Sequence, residues 1–344
     1  MIIKKNDLQQ ALQIVEPGLA GKELLHLEQS KSFAFLDGKV ITYNDQISVS
    51  HPIQGWEGIE GVVQADKLFQ LLGKLKTEEI DISVNKDNEI LIKAGRAKAG
   101  LTLQTDIQLP LDMDVADKGE WQALPENFMD ALMFVISSAS HDSTDPILTC
   151  IHVSRAGYLE SSDSYRVAKY ELAQAMPVKT FLLPVSSASE LRKITPVMIA
   201  EGDGWIHFKT EEETVFSCRI IDDEFPDTSS HLRVTGYQLV FPEATKEIIE
   251  RAMIFAERRK DVDEQVFIFL KESQLKVRSE ADAGWFEEST DAEYNGTPVS
   301  FSAAPYLLKD ILSETLSCII AKDKTKLKFM GDKWQYMAAL IGDE

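Results

Sequence analysis

The residues best suited to chemistry form one short polar run, His141-Asp142-Ser143-Thr144-Asp145. Histidine, serine and aspartate are the residue types of hydrolase active sites, where a histidine takes a proton from a nucleophile and a carboxylate orients the histidine. The run also follows a predicted helix, where His and Asp commonly cap the helix end or face solvent. A divergent α+β hydrolase that uses His141, Asp145 and Asp163 is therefore one hypothesis for this chain.

Other sites of chemistry are not indicated by the sequence. It contains no Gly-rich phosphate loop, HExxH, GxSxG or paired CxxC motif, and its six histidines have no metal-ligand spacing. The three cysteines, Cys150, Cys218 and Cys318, lie far apart and are odd in number. This pattern predicts buried free thiols rather than a disulfide or a zinc site. The favoured expectation is a protein without catalytic residues, metal or cofactor.

Six helix-like segments recur along the chain at an almost constant interval. Their central apolar residues lie 60, 60, 59, 61 and 60 residues apart and are Leu12, Leu72, Leu132, Leu191, Ala252 and Leu312. Around each of them, apolar residues fall on one face of a helix. We predict helices over 4–16, 64–76, 125–140, 185–194, 242–260 and 304–314. A period of this kind indicates a fold built from repeats.

Between the helices the sequence changes to short runs rich in β-branched and aromatic residues. The runs that predict strands are 80–84, 90–93, 180–183 and 266–270. Asp87-Asn88, Gly202-Asp203-Gly204 and Gly331-Asp332 predict hairpin turns. One helix and a few antiparallel strands thus form each repeat, and two repeats form a domain. This pattern predicts an α+β fold with helices on one face of a curved antiparallel sheet.

The length of 344 residues exceeds the roughly 250–300 residues over which a single core usually grows, so several domains are expected. The repeat favours three, at residues 1–114, 115–234 and 235–344. The N-terminal residues 1–5 lack the apolar stretch of a signal peptide, and no window reaches the roughly 18 apolar residues of a membrane span. We therefore expect a cytoplasmic protein with no membrane partner.

Acidic residues give the chain a formal net charge of −20, which argues against tight phosphate binding. The charge is unevenly distributed, because the six predicted helices carry 13 Lys and Arg against 12 Asp and Glu. Acidic loops that keep a large protein soluble are the simplest interpretation. The predicted helices, however, are free of that excess acid.

Four segments, in order along the chain, resemble the bacterial sliding clamp, the β subunit of DNA polymerase III. The second, 161–168, reads Ser-Ser-Asp-Ser-Tyr-Arg-Val-Ala and is similar to the family's Ala-Thr-Asp-Gly/Ser-His/Tyr-Arg-Leu-Ala. The others are 65–72 with 90–96, then 216–227 ending in Phe225-Pro226-Asp227, and 301–312, which is similar to Phe-Asn-x-x-Tyr-Leu-x-Asp-x-Leu. No single segment is diagnostic alone. Their order and spacing carry the resemblance.

The resemblance implies three tandem DNA-clamp domains, each with two helices on a curved antiparallel sheet, and a head-to-tail homodimeric ring around double-stranded DNA. A ring holds DNA by topology, so it needs only a mildly basic lining. The implied DNA-facing residues are Lys22, Lys74, Lys76, Arg192, Lys193, Arg258 and Arg259. The implied function is that of a non-enzymatic processivity factor in the nucleoid. Its partners would be the replicative DNA polymerase, a clamp loader and other proteins with clamp-binding motifs.

Clamps of this family bind partner peptides in an apolar pocket between the second and third domains. Carried over by position, the implied pocket residues are Leu148, Ser162, Ser164, Tyr165, Arg166, Val167, Pro226, Met337, Ala338 and Leu340. A concave apolar site with a few polar groups suits an extended peptide with hydrophobic anchors.

Two regions depart from the family's pattern. The C-terminal stretch 336–344 lacks the family's proline and ends in acid, which predicts a different pocket shape and peptide motif. The implied ring interface joins Arg96, Lys98, Ala99 and Leu101 of one chain to Ile254 and Phe255 of the other. Small residues at 99–100 replace large apolar ones there and predict a weaker dimer. Such divergence favours a phage-encoded or distant bacterial clamp.

A repeat-built scaffold that binds only protein is a third hypothesis. It differs from a clamp in being an open monomer that is not retained on DNA. The sequence therefore leaves a clamp, a hydrolase and a scaffold to be compared with the structure.

Overall fold

The chain folds into two compact units. The computed structural model describes residues 1–21, 28–111, 118–256, 264–294 and 296–341. The first unit comprises Met1–Met129, Ser154–Ala156 and Ala173–Asp223. The second comprises Asp130–Val153, Gly157–Leu172 and Glu224–Glu344. Both units combine helices with antiparallel sheets.

Short amphipathic helices supply the apolar faces that cover the sheets. In the described residues they are α1 Lys5–Val15, α2 Ala65–Lys74, α3 Phe128–Ile136, α4 Val185–Leu191, α5 Ser229–Leu232, α6 Thr245–Ala252, α7 Tyr306–Lys309 and α8 Ile311–Glu314. α1 shows the pattern, since Leu8, Leu12 and Val15 are fully buried on one face. It ends where Pro17 lies in a 3-10 turn, Glu16–Gly18, because proline cannot donate the next helical hydrogen bond.

The predicted six-helix period is confirmed, because each of the six central apolar residues lies in one of these helices. Three of the helices differ from their predicted extent. α3 is shorter than the predicted 125–140, and α6 ends at Ala252 and continues as a 3-10 turn, Met253–Phe255. The last predicted helix is divided into α7 and α8 at Asp310, although that residue keeps helical angles of φ −76° and ψ −43°. α5 was not predicted, because four residues carry too little periodicity to be recognised.

The strands are mostly four to six residues long, and many of them are buried along most of their length. They are β1 Ile2–Lys4, β2 Ser32–Leu36, β3 Lys39–Tyr43, β4 Ile47–Pro52, β5 Gly61–Gln64, β6 Glu79–Val84, β7 Glu89–Ala94, β8 Ala97–Thr102, β9 Gln122–Ala123, β10 Cys150–Ser154, β11 Tyr158–Ser162, β12 Arg166–Glu171, β13 Phe181–Pro184, β14 Met198–Glu201, β15 Trp205–Lys209, β16 Val215–Arg219, β17 Gly236–Val240, β18 Val266–Lys271, β19 Gln274–Ala281, β20 Gly284–Asp291, β21 Val299–Ala303, β22 Ser317–Ala321, β23 Lys326–Met330 and β24 Trp334–Ala339. The four predicted strands correspond to β6, β7, β13 and β18.

The described residues of the first unit form two sheets. An eight-stranded sheet has the order β5-β2-β3-β4-β16-β15-β14-β9, and a four-stranded sheet has the order β1-β6-β7-β8. A cluster of buried residues, including Ala34, Tyr43 and Trp205, packs on the larger sheet. The predicted turn at Asp87-Asn88 connects β6 to β7, with Asn88 in the left-handed region at φ 55°.

The second unit repeats this arrangement. Its larger sheet contains the strands β10-β11-β12-β24-β23-β22-β17 in this order, and its four-stranded sheet has the order β20-β19-β18-β21. The α+β fold with helices on antiparallel sheets is therefore as predicted. Cys150, Cys218 and Cys318 are buried free thiols, which confirms that expectation. Burial raises the pKa of Cys150 to about 11, so its thiol is unreactive at neutral pH.

The six repeats follow one rule of strand pairing. In each, a helix is followed by three strands joined as hairpins, and the third strands are β4, β8, β12, β16, β20 and β24. Within the first unit, β4 of repeat one pairs with β16 of repeat four. Within the second unit, β12 of repeat three pairs with β24 of repeat six. In the described residues β8 and β20, of repeats two and five, lie at sheet edges with one neighbour each.

Candidate functional site

Two adjoining cavities lie in the second unit, beside the ladder between β12 and β24. The first has a volume of about 510 Å³ and the second about 870 Å³. Asp145, Leu148 and Ser164 line both, so the two cavities form one continuous surface, which we call the β12–β24 groove.

Apolar side chains form the floor of the β12–β24 groove. Leu148, Val167 and Met337 line the first cavity, and Val167 and Met337 lie opposite each other in the β12–β24 ladder. In the second cavity the apolar lining includes Leu307, Leu340 and Ile341. Val167 and Met337 also pack on Leu232 of α5. The short helix missed by the sequence analysis therefore supports the floor of the groove.

The segment before α5 forms one wall of the first cavity through Pro226, Asp227 and Thr228. The Thr228 hydroxyl donates a hydrogen bond of 2.7 Å to Glu160 Oε2, which is buried. Phe225 stacks on the ring of His152, with 5.3 Å between ring centroids. These two contacts fix the wall to the sheet, because a buried carboxylate holds its hydrogen-bond donors tightly.

A turn between β11 and β12 separates the two cavities. Ser164 lies in the left-handed region at φ 75°, and a non-glycine residue there requires support from its surroundings. That support comes from Asp163 Oδ1, which accepts hydrogen bonds from the backbone N–H of Tyr165 at 3.1 Å and of Arg166 at 3.0 Å. The Ser162 hydroxyl donates to the Arg166 carbonyl at 2.8 Å. The turn is therefore held in one conformation by its own side chains.

Arg166 is buried beneath the groove rather than exposed in it. Its Nε donates to Asp163 Oδ2 at 2.9 Å, and its guanidinium lies 5.2 Å from the centre of the Tyr306 ring. Burial disfavours the charge, but Tyr336 and Asp163 outweigh that effect and raise the pKa of Arg166. The guanidinium is therefore a charged structural anchor for the turn.

Eight of the ten pocket residues named from the sequence line the groove: Leu148, Ser162, Ser164, Tyr165, Val167, Pro226, Met337 and Leu340. Arg166 and Ala338 line neither cavity, and Ala338 is fully buried in the sheet. Sequence reasoning did not name Thr228, Glu264 or Tyr306 for the pocket, and it named Asp145 only as a hydrolase residue; all four line the groove. Only Tyr306 carried a signal, because it opens the last predicted helix.

The proposed hydrolase residues His141, Asp145 and Asp163 all line the second cavity. Asp163, however, already accepts hydrogen bonds from Arg166 Nε and two backbone N–H groups of its own turn. A carboxylate held in this way cannot orient a catalytic histidine. Asp142 likewise accepts a hydrogen bond from the backbone of Thr144 at 2.9 Å. In the described part of the chain, no cluster of three or more His, Cys, Asp or Glu residues could hold a metal ion.

Of the basic residues named as DNA-facing, the four that the structure describes lie at helix ends or just beyond them. Lys74 is in the last turn of α2, and Lys76 and Arg192 are exposed just beyond α2 and α4. Lys193 Nζ lies 2.6 Å from Glu190 Oε2, so its charge is partly neutralised. Lys22, Arg258 and Arg259 lie outside the described residues.

The residues named for a chain–chain interface lie on the two free sheet edges or beside them. Arg96 and Lys98 are exposed at β8, where Ala99 and Leu101 are half-buried. Ile254 is 68% exposed and Phe255 half-buried beside β20. Sequence reasoning missed Trp285 of β20, which is 64% exposed. An exposed tryptophan on an unpaired edge strand is unusual for a surface in contact only with water.

A third cavity of about 650 Å³ lies in the first unit, between α1, the end of β4 and the residues after α4. Its lining is mixed, with Ile14, His51, Lys193 and Glu212 among the contributing residues. The His51 Nδ1 atom lies 2.7 Å from Thr214 Oγ1. Burial lowers the pKa of His51, and Glu212 offsets this only partly.

Solved structures with the same arrangement of helices and sheets are bacterial replication proteins. The DNA polymerase III subunit beta from Pseudomonas aeruginosa aligns with a TM-score of 0.84 at 19% identity, over 99% of each chain. This chain has the same fold. The Thermotoga maritima DNA polymerase III beta subunit and the Bacillus subtilis DNA polymerase sliding clamp each align with a TM-score of 0.82 at 18% identity, over 100% of this chain and 99% of theirs.

The sliding-clamp fold thus extends over the whole chain, as the resemblance implied. No family model matches the sequence, and no curated protein matches it. No α-helix in the described part of the chain has the length and apolarity that a membrane crossing requires. The fold is therefore recognisable in three dimensions where the sequence has diverged widely.

Proposed function

We propose that this chain is a DNA polymerase processivity factor, a sliding clamp that encircles duplex DNA and tethers the replicative polymerase. The observation that carries the proposal is the full-length similarity in fold to bacterial DNA polymerase III beta subunits. We further propose three domains of two repeats each, at residues 1–114, 115–234 and 235–344. A protein of this kind works in the nucleoid, where the DNA is.

The pairing rule among the repeats supports a closed homodimer. Repeat one pairs with repeat four through β4 and β16, and repeat three with repeat six through β12 and β24. Each of these pairs joins a repeat to the one three positions further on. Counting on from repeat six to repeat one, the same rule pairs repeat five with repeat two, that is, β20 with β8. These edges remain for a second copy of the chain. Two such contacts close a head-to-tail ring, because each copy offers one β8 and one β20.

The register of that contact can be proposed from β12 and β24, where the first residue of one strand, Arg166, lies opposite the fifth of the other, Ala338. Transferred to β20 and β8, it puts Gly284 opposite Leu101, Trp285 opposite Gly100, Phe286 opposite Ala99 and Glu287 opposite Lys98. Half-buried residues then face half-buried ones and exposed residues face exposed ones. A shift by one residue would break this match, since it moves side chains to the other sheet face.

This register also accounts for the small residues on β8. Gly100 leaves room for the Trp285 ring of the partner copy, and Lys98 meets Glu287 with opposite charge. We therefore propose that interface area comes chiefly from Trp285 and Phe286, together with Ile254 and Phe255. The weaker dimer expected from Ala99 and Gly100 alone is offset by the large residues on the opposing edge.

The β12–β24 groove is proposed as the site for polymerase and other partners, including a clamp loader. Its apolar floor, its rigid walls and its open length suit an extended peptide with hydrophobic anchors. DNA is proposed to contact the exposed cations at the ends of α2 and α4. No step of catalysis is proposed, because Asp163 is occupied by Arg166.

The test uses the K98C/E287C double variant, in which the proposed register places two cysteines opposite each other at each interface while Trp285 and Phe286 are kept. Native thiols are buried, so oxidation should cross-link only these positions. Oxidised in the presence of nicked circular plasmid, the ring should remain with the DNA through gel filtration in 1 M salt. Cutting the plasmid with a restriction enzyme should release it.

The two alternatives predict other outcomes. A protein-only scaffold would be washed from circular and linear DNA alike and would scatter light as a monomer of 38.6 kDa. A hydrolase would turn over a generic ester or phosphoester and lose that activity in H141A. If no cross-linked dimer forms and the protein leaves the DNA in high salt, only the register is contradicted. If the cross-linked dimer forms but is never retained on circular DNA, the clamp itself is contradicted.

A further inference from the structure

The β12–β24 groove has an acidic rim around its apolar floor. Asp145 stands where the two cavities meet, Asp227 lies at the first, and Asp142 and Glu264 lie at the second. All four are on the groove surface itself and not merely on the acidic exterior of the protein.

No cation among the described lining residues balances these carboxylates. Neither cavity is lined by a lysine or an arginine. Arg166, the nearest buried cation of the turn, is already paired with Asp163, so the two cancel each other. Lys169 and Arg233 act on Asp227 from outside the cavities. The described lining residues therefore give the groove a net negative charge.

Hydrogen bonds favour the charged form of two rim carboxylates. A backbone hydrogen bond from Thr144 lowers the pKa of Asp142. A hydrogen bond from the Ser229 side chain does the same for Asp227. Both groups are exposed, so their interaction with a ligand is screened by salt.

We propose that the groove selects cationic peptides, in which Lys or Arg residues flank the apolar anchors. This inference rests on the proposed role of the groove as a partner site and names the class of partner that fits it. Lys or Arg next to an anchor reaches Asp145 at the centre, and basic residues at the peptide ends reach Asp227 and Glu264. Acidic flanks meet like charge and are rejected, which is how charged rims set specificity.

The test measures binding of three fluorescent peptides to the full-length protein by anisotropy. All share the apolar core Leu-Ser-Leu-Leu and differ only in flanks of lysine, glutamine or glutamate. We expect the lysine peptide to bind about tenfold more tightly than the glutamate peptide in 50 mM NaCl, with the glutamine peptide between them. At 300 mM NaCl the ratio should fall to about threefold or less, because rim charges are screened.

A charge-neutralised rim and a matched control complete the experiment. D145N/E264Q should reduce the lysine-to-glutamate ratio at least threefold. E78Q/E79Q removes the same charge from exposed positions around the start of β6 in the first unit and should leave the ratio unchanged.

The outcomes separate this inference from the proposed function. Equal affinity for the three peptides, or equal loss of ratio in both double variants, would overturn cationic selection while leaving the groove a peptide site. Failure of all three peptides to bind would overturn the groove as a peptide site and the selection with it. Retention of the protein on circular DNA tests the clamp independently.

Discussion

His152 Nδ1 lies 2.7 Å from Glu160 Oε1 in the interior of the second unit. Because a carboxylate only accepts, the imidazole donates this hydrogen bond. Thr228 donates to the other carboxylate oxygen at 2.7 Å, and Glu160 is only 5% exposed. Burial would raise the pKa of Glu160, but these hydrogen bonds and the charge of Lys169 outweigh it and lower that pKa. One buried carboxylate thus joins β10, β11 and the wall of the groove.

Replacing Thr228 with valine should destabilise the protein and loosen the groove wall. Valine has nearly the same shape but leaves Glu160 Oε2 without its donor, and an unsatisfied buried acceptor costs about 1–3 kcal/mol. Urea unfolding should therefore show a loss of that size. The peptide with lysine flanks should also bind more weakly, because Thr228 and Pro226 line the groove.

Thr235→Val is the control, since Thr235 is exposed in the same unit. It should change the free energy of unfolding by less than about 0.5 kcal/mol. Equal losses in the two variants would mean that the Glu160 contact contributes nothing specific.

How far the sequence reaches can be judged at this groove. Leu148, Val167 and Met337 were named from the resemblance, and the helices were named from their period, because both signals survive as local patterns. Glu264 and Thr228 carry no such pattern. They meet the groove only through the packing of segments distant in sequence, and the Glu160–Thr228 contact spans 68 residues.

Helix ends were predicted less well than helix centres for a physical reason. The apolar face of α6 continues past Ala252 as Ile254 and Phe255, which made the predicted helix longer. In the structure Ile254 is instead 68% exposed. An exposed apolar residue at the end of a helix looks, in sequence, like one that packs in the core.

Trp285→Ala should weaken the proposed dimer strongly. A tryptophan buried at the centre of an interface commonly contributes at least about 2 kcal/mol, and the ring has two such sites. Sedimentation equilibrium should show the variant as mainly monomer at concentrations where the parent protein is dimeric. Met330→Ala provides the control, since Met330 is 49% exposed but lies on β23, which has neighbours on both sides. An unchanged dimer in W285A would place the interface elsewhere.

Charge reversal tests the proposed pair of Lys98 and Glu287. K98E or E287K alone puts like charges opposite each other, which costs about 0.2–1 kcal/mol at each of two interfaces. E287K also loses the ion pair of Glu287 with Lys276, which measures 3.3 Å. The K98E/E287K double variant restores opposite charges, so its dimer constant should recover most of the loss. Purely additive losses would mean that the two residues do not meet.

His51 should make the stability of the first unit depend on pH. Burial lowers its pKa, so the unfolded chain binds a proton near pH 6.5 that the folded chain does not. The neutral His51 side chain therefore makes its full contribution to the free energy of unfolding above about pH 6.5, and this contribution is lost as the pH falls below that value. Asp7, Lys193 and Glu212 line the same cavity and are present in both the parent protein and an H51Q variant.

Comparison with H51Q isolates this effect from the many surface carboxylates. The difference in unfolding free energy between parent and H51Q should shrink between pH 7.5 and pH 5.5 in urea titrations. A difference that stays constant over this range would mean that the folded protein takes up the proton as readily as the unfolded chain.

Arg192 and Lys193 should differ in their contribution to DNA binding, although they are neighbours at the end of α4. Each free cation that meets a phosphate steepens the dependence of affinity on salt by about one unit of slope. Arg192 is exposed, whereas Lys193 Nζ is held 2.6 Å from Glu190. In anisotropy titrations with a short duplex from 25 to 150 mM NaCl, R192Q should lower the slope by about 1 and K193Q by clearly less. E190Q frees Lys193 from its carboxylate partner and should make the salt dependence steeper, because the lysine can then contact phosphate. If all three variants show the same slope, these residues do not contact the DNA.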